Sequence, residues 1–177
     1  MHISHNANSK DVVPIVAIFG CGNVLLGDDG FGPAVIEQLL RAGLPSSVQA
    51  LDVGTAIREY LLDYLMLPEL RPAVLIVVDA APQQGGVPGE VRLCAPADLP
   101  ACKIHDFSLH QFPTVNLLRE LQDETGITVM VLMAHSSSPI DSFGPGLSPV
   151  MRAAVGAACQ QIGEIIAPFT TLEATLP

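Results

Sequence analysis

The sequence predicts an α/β protein: a three-layer α/β/α sandwich around a mostly parallel, twisted sheet of about five strands, with one edge or antiparallel strand. Short apolar, β-branched runs alternate with segments of helical periodicity, and glycines and prolines separate them. The chain has 177 residues, which suits one domain with its own core. We therefore expect a single domain over residues 1–177, with a polar leader at 1–13 and a loose tail at 170–177.

Five segments have the composition of strands. Pro14–Phe19 is an apolar run that ends at glycines, and Val48–Leu51 is a second short run. Ala73–Val78 is apolar on both faces, which predicts a central strand. Gly89–Cys94 follows the turn-rich stretch PQQGGVPG and is predicted to be an edge or hairpin strand. Thr128–Met133 is the last predicted strand.

Four segments show helical spacing of their apolar residues. The first starts at Asp29 and ends at Gly43, because glycine commonly terminates a helix. Pro68 stops the second helix, since proline lacks the N–H that a helix needs. The second, third and fourth predicted helices are Ile57–Leu67, Leu109–Thr125 and Ser148–Ile166.

Composition excludes several classes of partner and compartment. The chain carries 8 Lys+Arg against 18 Asp+Glu, a net charge of −10, which argues against nucleic acid or an anionic membrane as the main partner. The first residues lack the apolar core of a secretory signal, and no segment has the pattern of a transmembrane helix. Four scattered cysteines without a CxxC pair favour free thiols in a reducing cytoplasm.

Polar residues gather where the predicted strands end. In parallel sheets the carboxyl ends of the strands carry the functional site. The first strand leads into GCGNVLLGDDG, the second into DVGT, the third into Asp79, and the segment HDFSLHQF precedes a helix. We therefore expect a rim rich in carboxylates and imidazoles. Its candidate residues are Asp28, Asp29, Asp79 and His110, with His105 and His135 in reserve.

The glycine turn after the first strand also suggests an alternative. A Rossmann-like, nucleotide-dependent enzyme would use the Gly20–Gly22 turn to hold a pyrophosphate. The fingerprint is incomplete, because Leu25 stands where its third glycine belongs. Asp28 and Asp29 would also repel a phosphate. A shift in thermal stability with NAD or S-adenosylmethionine would favour this alternative, and we expect none.

Each candidate taken singly also has a structural explanation. An aspartate at a helix start is usually a cap, which stabilises the first turn by about 1 kcal/mol. Asp79 is compatible with an Asx turn, and a single histidine such as His110 is more often structural than a ligand. Only the convergence of these residues on one edge of the sheet indicates a site.

The motifs GCGNVLLGDDGFGPAVIEQL, LDVGT, VVDAA and SLHQF, taken together, resemble those of the NiFe hydrogenase maturation endopeptidases. The resemblance runs from about Ile15 to Ile166, and GxGNxLxxDDGxG is its most specific part. The DVGT and HDFSxHQFPT variants look most like the proteases that serve coenzyme-F420-reducing hydrogenases. The resemblance implies removal of a C-terminal extension from the hydrogenase large-subunit precursor after nickel insertion.

The resemblance also implies roles for individual residues. The three metal-binding positions of the family fall on Asp29, Asp79 and His110, and Asp29 stands where other members have Glu. The turn with Asp52, Gly54 and Thr55 is implied to position the substrate. His135 has no ready counterpart, which favours a structural role for it.

Two carboxylates and one imidazole accept Ni²⁺ or Zn²⁺, but without thiolates they hold neither tightly. We therefore expect the nickel to arrive with the substrate and to bind transiently, while Cd²⁺ or Zn²⁺ occupies the site in vitro. Nickel would polarise the scissile carbonyl or activate a water, with Asp28 or Asp79 as general base. Cys21 is expected to be a small buried residue. A second alternative is a chaperone that binds the precursor without cutting it.

Overall fold

The computed structural model describes residues 13–81, 86–99, 111–136 and 143–170, without the side chains of residues 111–115 and 170. His105 and His110 lie outside these ranges. So do the expected leader and tail, apart from residues 13 and 170. The strands are β1 Val16–Cys21, β2 Val48–Gly54, β3 Val74–Ala81, β4 Val91–Cys94 and β5 Thr128–His135. The helices are α1 Phe31–Ala42, α2 Ile57–Met66, α3 Gln111–Thr125 and α4 Pro149–Thr170.

The strands form one five-stranded sheet in the order β2-β1-β3-β5-β4. All neighbours pair in parallel except β4, which lies antiparallel to β5 at the edge. The mostly parallel sheet with one antiparallel edge strand is therefore confirmed. β3 lies between β1 and β5, as its apolar residues on both faces predict.

Each face of the sheet is covered by two helices. Residues alternate between the faces of a strand, so Ile18 and Ile76 pack against α1 and α4, whereas Phe19 and Leu75 pack against α2 and α3. Phe19 stacks on Tyr64 of α2 with ring centroids 5.9 Å apart. Burial of these two apolar faces produces the predicted three-layer sandwich.

Four strands, β1, β2, β3 and β5, extend beyond their predicted ends. β3 and β5 keep pairing through Asp79 with Met133 and through Ala81 with His135. Asp79 therefore lies in the strand, and the expectation that it follows the strand is wrong. Backbone pairing depends on the N–H and C=O groups, so a polar side chain does not end a strand that has a paired neighbour. Asp52 is likewise within β2.

The start of α1 and the end of α4 differ from the prediction by more than one residue. A 3₁₀ turn over Gly27–Gly30 precedes α1, and Gly30 occupies the position before the helix. The two aspartates of this turn therefore do not cap α1, contrary to the expected structural explanation. α4 continues past the predicted end at Ile166 to Thr170, with Pro168 in its last turn. No helix within the described ranges is both long and apolar enough to cross a bilayer.

Candidate active site

The strands β2, β1 and β3 end side by side, and we call this edge of the sheet the carboxyl edge. Gly20 of β1 pairs with Asp52 on one side and with Val78 on the other. Cys21 and Asp79 are the next residues of β1 and β3. Neighbouring strands lie about 4.8 Å apart, so these residues come to the same part of the edge.

The pKa of the Cys21 thiol reflects the negative charges at the carboxyl edge. Cys21 is buried, and its pKa is raised well above the usual range, first by burial and then by the charges of Asp79, Asp52 and Asp29. The three carboxylates thus lie within electrostatic reach of one thiol. The fold therefore brings together three of the acidic residues that the sequence analysis selected.

Asp29 lies in the loop between β1 and α1, residues 22–30, which we call the site loop. Its Oδ2 accepts the backbone N–H of Asn23 at 2.7 Å, and Asn23 Oδ1 accepts the N–H of Leu25 at 3.0 Å. Gly22 has a φ of 123°, and a Cβ at this position would overlap the carbonyl oxygen of Asp29. Only glycine therefore fits position 22 without displacing Asp29.

The DVGT turn is fastened to the site loop. Asp52 Oδ1 accepts the N–H of Gly54 at 3.0 Å, and Gly54 has a left-handed φ of 53°. The carbonyl oxygen of Gly54 in turn accepts the N–H of Gly22 at 3.0 Å. Asp52 and Thr55 are exposed, and Asp52 and Gly27 border an open cavity of about 430 Å³. A peptide that binds in this cavity would therefore contact the turn.

Asp79 is half-buried on the face of the sheet that α2 and α3 cover. Its Oδ1 accepts the N–H of Ala80 at 2.8 Å. α3 leads into β5, which is parallel to β3, so α3 runs opposite to the strands and begins at the carboxyl edge. The third predicted ligand, His110, directly precedes Gln111 in the sequence and lies outside the described residues. In the part of the chain that the structure describes, no group of three or more His, Cys, Asp or Glu is placed to hold a metal ion.

Asp28 lies in a different environment from Asp29. Its side chain is buried and accepts the Ser136 hydroxyl at 2.8 Å. It also accepts the backbone N–H of Ser148 at 2.7 Å and the Ser148 hydroxyl at 3.0 Å. Neither serine was expected from the sequence to have a role. Their positions carried a signal, because Ser136 follows the last strand and Ser148 precedes the first residue of α4, where serine commonly caps a helix.

His135, the last residue of β5, is held by its neighbours. Its backbone N–H donates to Glu90 O at 3.1 Å, and its carbonyl accepts the N–H of Gly89 at 2.7 Å. The imidazole ring lies directly against Gly86, where a Cβ would overlap it. This packing supports the structural role that we predict for His135.

The comparison with known families decides what kind of protein this is. A sequence model for hydrogenase maturation proteases matches residues 33–165. The chain belongs to the hydrogenase maturation protease family. This maturation protease is therefore an endopeptidase, as the motifs at the strand ends predicted.

Individual relatives agree with this assignment. A Methanocaldococcus jannaschii protein named as a hydrogenase maturation protease is 34% identical over 152 residues, which cover 85% of this chain and 96% of that protein. The coenzyme F420 hydrogenase subunit delta of Methanothermobacter thermautotrophicus is 28% identical over 151 residues, 83% of this chain and 91% of that one. The structure of the hydrogenase maturating endopeptidase HybD from Escherichia coli aligns with a TM-score of 0.68 and 27% identity, over 86% of this chain and 92% of that chain.

The glycine motif of this maturation protease has a role in packing. A Cβ on Gly32 would overlap the carbonyl oxygen of Cys21, and one on Gly20 would lie 2.6 Å from the carbonyl oxygen of Gly32. The glycines thus let α1 approach β1 closely. The N–H groups of Gly22 and Asn23, which a bound phosphate would need, donate to Gly54 and Asp29 instead. These contacts argue against the nucleotide-dependent alternative.

Proposed function

We propose that this protein removes the C-terminal extension of a NiFe hydrogenase large-subunit precursor after nickel insertion, and that it recognises the nickel through Asp29, Asp79 and His110. The observation that carries the proposal is that Asp29 and Asp79 both lie near Cys21 at the carboxyl edge, close enough for their charges to raise the pKa of its thiol. Two half-buried carboxylates within electrostatic reach of the same thiol create a negative potential that attracts a cation. The names of the relatives supply the class of substrate.

The ligand chemistry explains why the metal comes with the substrate. Two carboxylates and an imidazole bind Ni²⁺ weakly compared with a site that includes thiolates. Nickel that is already held by the precursor's cysteines would gain these oxygen and nitrogen ligands when the precursor docks. An unloaded precursor would lose those bonds, and each loss of about 1.4 kcal/mol weakens its binding tenfold. Cleavage would thus be confined to loaded precursor.

The course of α3 supports His110 as the third ligand. α3 begins at the carboxyl edge and packs on the face of the sheet where Asp79 lies. Gln111 is its first residue, and His110 is the residue before it in the sequence. Asp29 and Asp79 each accept a backbone N–H, which orients these carboxylates.

Hydrolysis by an activated water is the chemistry that these residues favour. The raised pKa of the Cys21 thiol keeps it protonated and therefore a poor nucleophile. Asp28 and Asp79 are the candidate general bases. Asp28 is buried and accepts three hydrogen bonds from two serines, which favours Asp79 as the group that takes the proton from water.

The DVGT turn is the part of the site that we assign to the substrate backbone. Asp52 borders the open cavity, and the turn that it shares with Gly54 and Thr55 is fixed to the site loop by the bond between Gly22 and Gly54. The similarity to an F420 hydrogenase subunit supports a coenzyme-F420-reducing hydrogenase as substrate. Free thiols at Cys21, Cys94 and Cys159 support a cytoplasmic location.

Incubation of the purified protein with nickel-loaded and nickel-free precursors, followed by mass spectrometry, tests the proposal. We expect a shortened subunit and a released peptide only from the loaded precursor. Asp29→Asn, Asp79→Asn and His110→Gln should fold but leave the loaded precursor intact. Asp123→Asn, an exposed carboxylate at the other end of α3, is the charge-matched control and should process normally.

Three outcomes would contradict parts of this proposal. Full processing by any one of the three variants would remove that residue from the site. Cleavage of nickel-free precursor at the same rate would overturn nickel recognition. Binding of the loaded precursor without any change in mass would favour the chaperone alternative.

A further inference from the structure

We propose that Asp28 is a positioning residue that holds Asp29 at the carboxyl edge, by fastening the site loop to the end of β5 and the start of α4. This inference rests on the proposed function, because it assigns Asp28 a role through Asp29. It gives Asp28 a task different from that of a general base.

The first attachment joins the site loop to β5. Asp28 is 5% exposed, and the Ser136 hydroxyl that donates to its Oδ2 at 2.8 Å is 0% exposed. Ser136 directly follows β5, and its N–H donates to Ala81 O of β3 at 2.9 Å. A buried hydroxyl that donates to a carboxylate forms a strong, charge-assisted bond in a region of low dielectric constant. The site loop is thereby anchored to the ends of β3 and β5.

The second attachment joins the site loop to α4. Ser148 donates both its backbone N–H and its hydroxyl to Asp28, and the same hydroxyl accepts the N–H of Met151 at 3.4 Å. Ser148 therefore caps α4 and holds Asp28 at once. The partial positive charge at the start of this 22-residue helix favours a carboxylate there.

Backbone pairing strengthens the same attachment. Gly27 donates to Gly144 O at 2.7 Å, and Gly144 donates to Leu25 O at 3.1 Å. Residues 25–28 of the site loop are therefore held against residues 144–148 by both main chain and side chain. Side-chain contacts alone would allow the loop to rotate. The additional backbone pairing restricts this rotation.

Asp29 takes its position from this anchored loop. It follows Asp28 directly, and its carboxylate bonds back to Asn23 at the beginning of the same loop. A shift of the loop would move the backbone of Asp29 and its carboxylate together. Metal affinity is sensitive to the placement of ligands, because coordination demands specific distances and angles. Loss of the Asp28 bonds should therefore weaken metal binding at Asp29.

Cd²⁺ affinity tests this inference, because it needs neither precursor nor catalysis. Calorimetric titration compares wild type with Asp28→Asn, whose single side-chain oxygen cannot replace both carboxylate oxygens, so that either the Ser148 N–H or the two serine hydroxyls lose their acceptor. The affinity is expressed per folded molecule, with the folded fraction measured by circular dichroism at the same temperature. We expect Asp28→Asn to bind Cd²⁺ about tenfold more weakly and to process loaded precursor more slowly.

Serine variants keep the inference testable if Asp28→Asn does not fold. Ser136→Ala and Ser148→Ala should each weaken Cd²⁺ binding, whereas Ser148→Thr, which keeps the hydroxyl, should restore it. Ser47→Ala is the matched control. Ser47 is buried just before β2, at the end of the sheet opposite the carboxyl edge. Its hydroxyl has no hydrogen-bond partner in the described part of the chain. Ser47→Ala should leave Cd²⁺ affinity unchanged.

The outcomes separate this inference from the proposed function. If Asp29→Asn binds Cd²⁺ as wild type does, or if wild type binds none, the proposed ligand set fails and this inference fails with it. If Asp29→Asn loses the metal while Asp28→Asn and the serine variants retain full affinity, only the positioning role is overturned. Loss of processing with unchanged Cd²⁺ affinity in Asp28→Asn would identify Asp28 as the general base instead.

Discussion

Asp29 Oδ2 accepts the backbone N–H of Asn23 at 2.7 Å, so the carboxylate that we predict to bind nickel also closes the loop in which it lies. The loop is therefore shaped before any substrate arrives. A site that is already organised loses less entropy when it binds. The same bond makes Asp29 a residue whose substitution affects both stability and processing, and the two effects can be separated.

We expect Asp29→Asn and Asp29→Ala to differ in stability but not in processing. The asparagine keeps an oxygen for the Asn23 N–H, whereas alanine loses this bond and should cost about 1 kcal/mol more of unfolding free energy. Both should fail to process loaded precursor, because neither supplies a carboxylate to the metal. Urea unfolding and the processing assay measure the two effects. Equal stability of the two variants would mean that the loop does not depend on this bond.

Gly22→Ala should destabilise the protein more than Gly43→Ala. Both glycines have positive φ values, 123° and 83°, and each strained conformation costs an alanine about 1–3 kcal/mol. A Cβ at position 22 would also overlap Asp29, whereas nothing lies within 4 Å of one at position 43. We expect Gly22→Ala to abolish processing and Gly43→Ala to retain it. Similar unfolding free energies for both would contradict the close approach of Gly22 and Asp29.

Cys21 should make unfolding depend on alkaline pH. Its pKa is raised in the folded protein, so above about pH 8.5 the unfolded chain loses this proton while the native thiol keeps it. The stability contributed by this group is therefore complete below that pH and declines as the pH rises, by at most about 1.4 kcal/mol per pH unit. Cys21→Ala should make the decline shallower, as measured by urea unfolding between pH 7 and 10.

Cys21→Ala should also process loaded precursor, because the protonated thiol is not the nucleophile. In the native wild type, Cys21 should resist alkylation by iodoacetamide, and unfolding should expose it. Loss of processing in a folded Cys21→Ala variant would contradict the hydrolytic mechanism.

His135→Ala should lower stability modestly and leave recognition of nickel intact. The ring packs on Gly86, so its removal leaves a small gap at the end of β5 and should cost about 1 kcal/mol. Thermal unfolding measures this cost, and the ratio of processing rates for loaded and nickel-free precursor measures recognition. A fall in that ratio would place His135 in the site.

Purified protein should bind added Ni²⁺ or Cd²⁺ weakly, at about one ion per chain, since the ligand set contains no thiolate. Brief dialysis against EDTA should remove the ion without unfolding the protein, as followed by elemental analysis and circular dichroism. Metal that resists the chelator would contradict a nickel ion carried by the substrate.

The sequence predicted the fold well because its signals are local. The continuous apolar run in Ala73–Val78 and the helical spacing in Phe31–Ala42 depend on neighbouring residues only, and both elements formed. The end of β3 was misplaced because pairing of Asp79 with Met133 depends on a strand far along the chain. The close approach of Gly22 to the carbonyl oxygen of Asp29 was not predicted either, because it depends on how the loop folds back on itself.

The sequence by itself determined the α/β class, the family resemblance and the acidic residues near the ends of the strands. Each of these depends only on residues that are close together in the chain. Only the tertiary structure decided which partners the two neighbouring aspartates have. Asp29 bonds within its own loop, whereas Asp28 is bound by serines 108 and 120 residues away. The side chains of consecutive residues point in different directions, and only folding determines which distant groups each will meet.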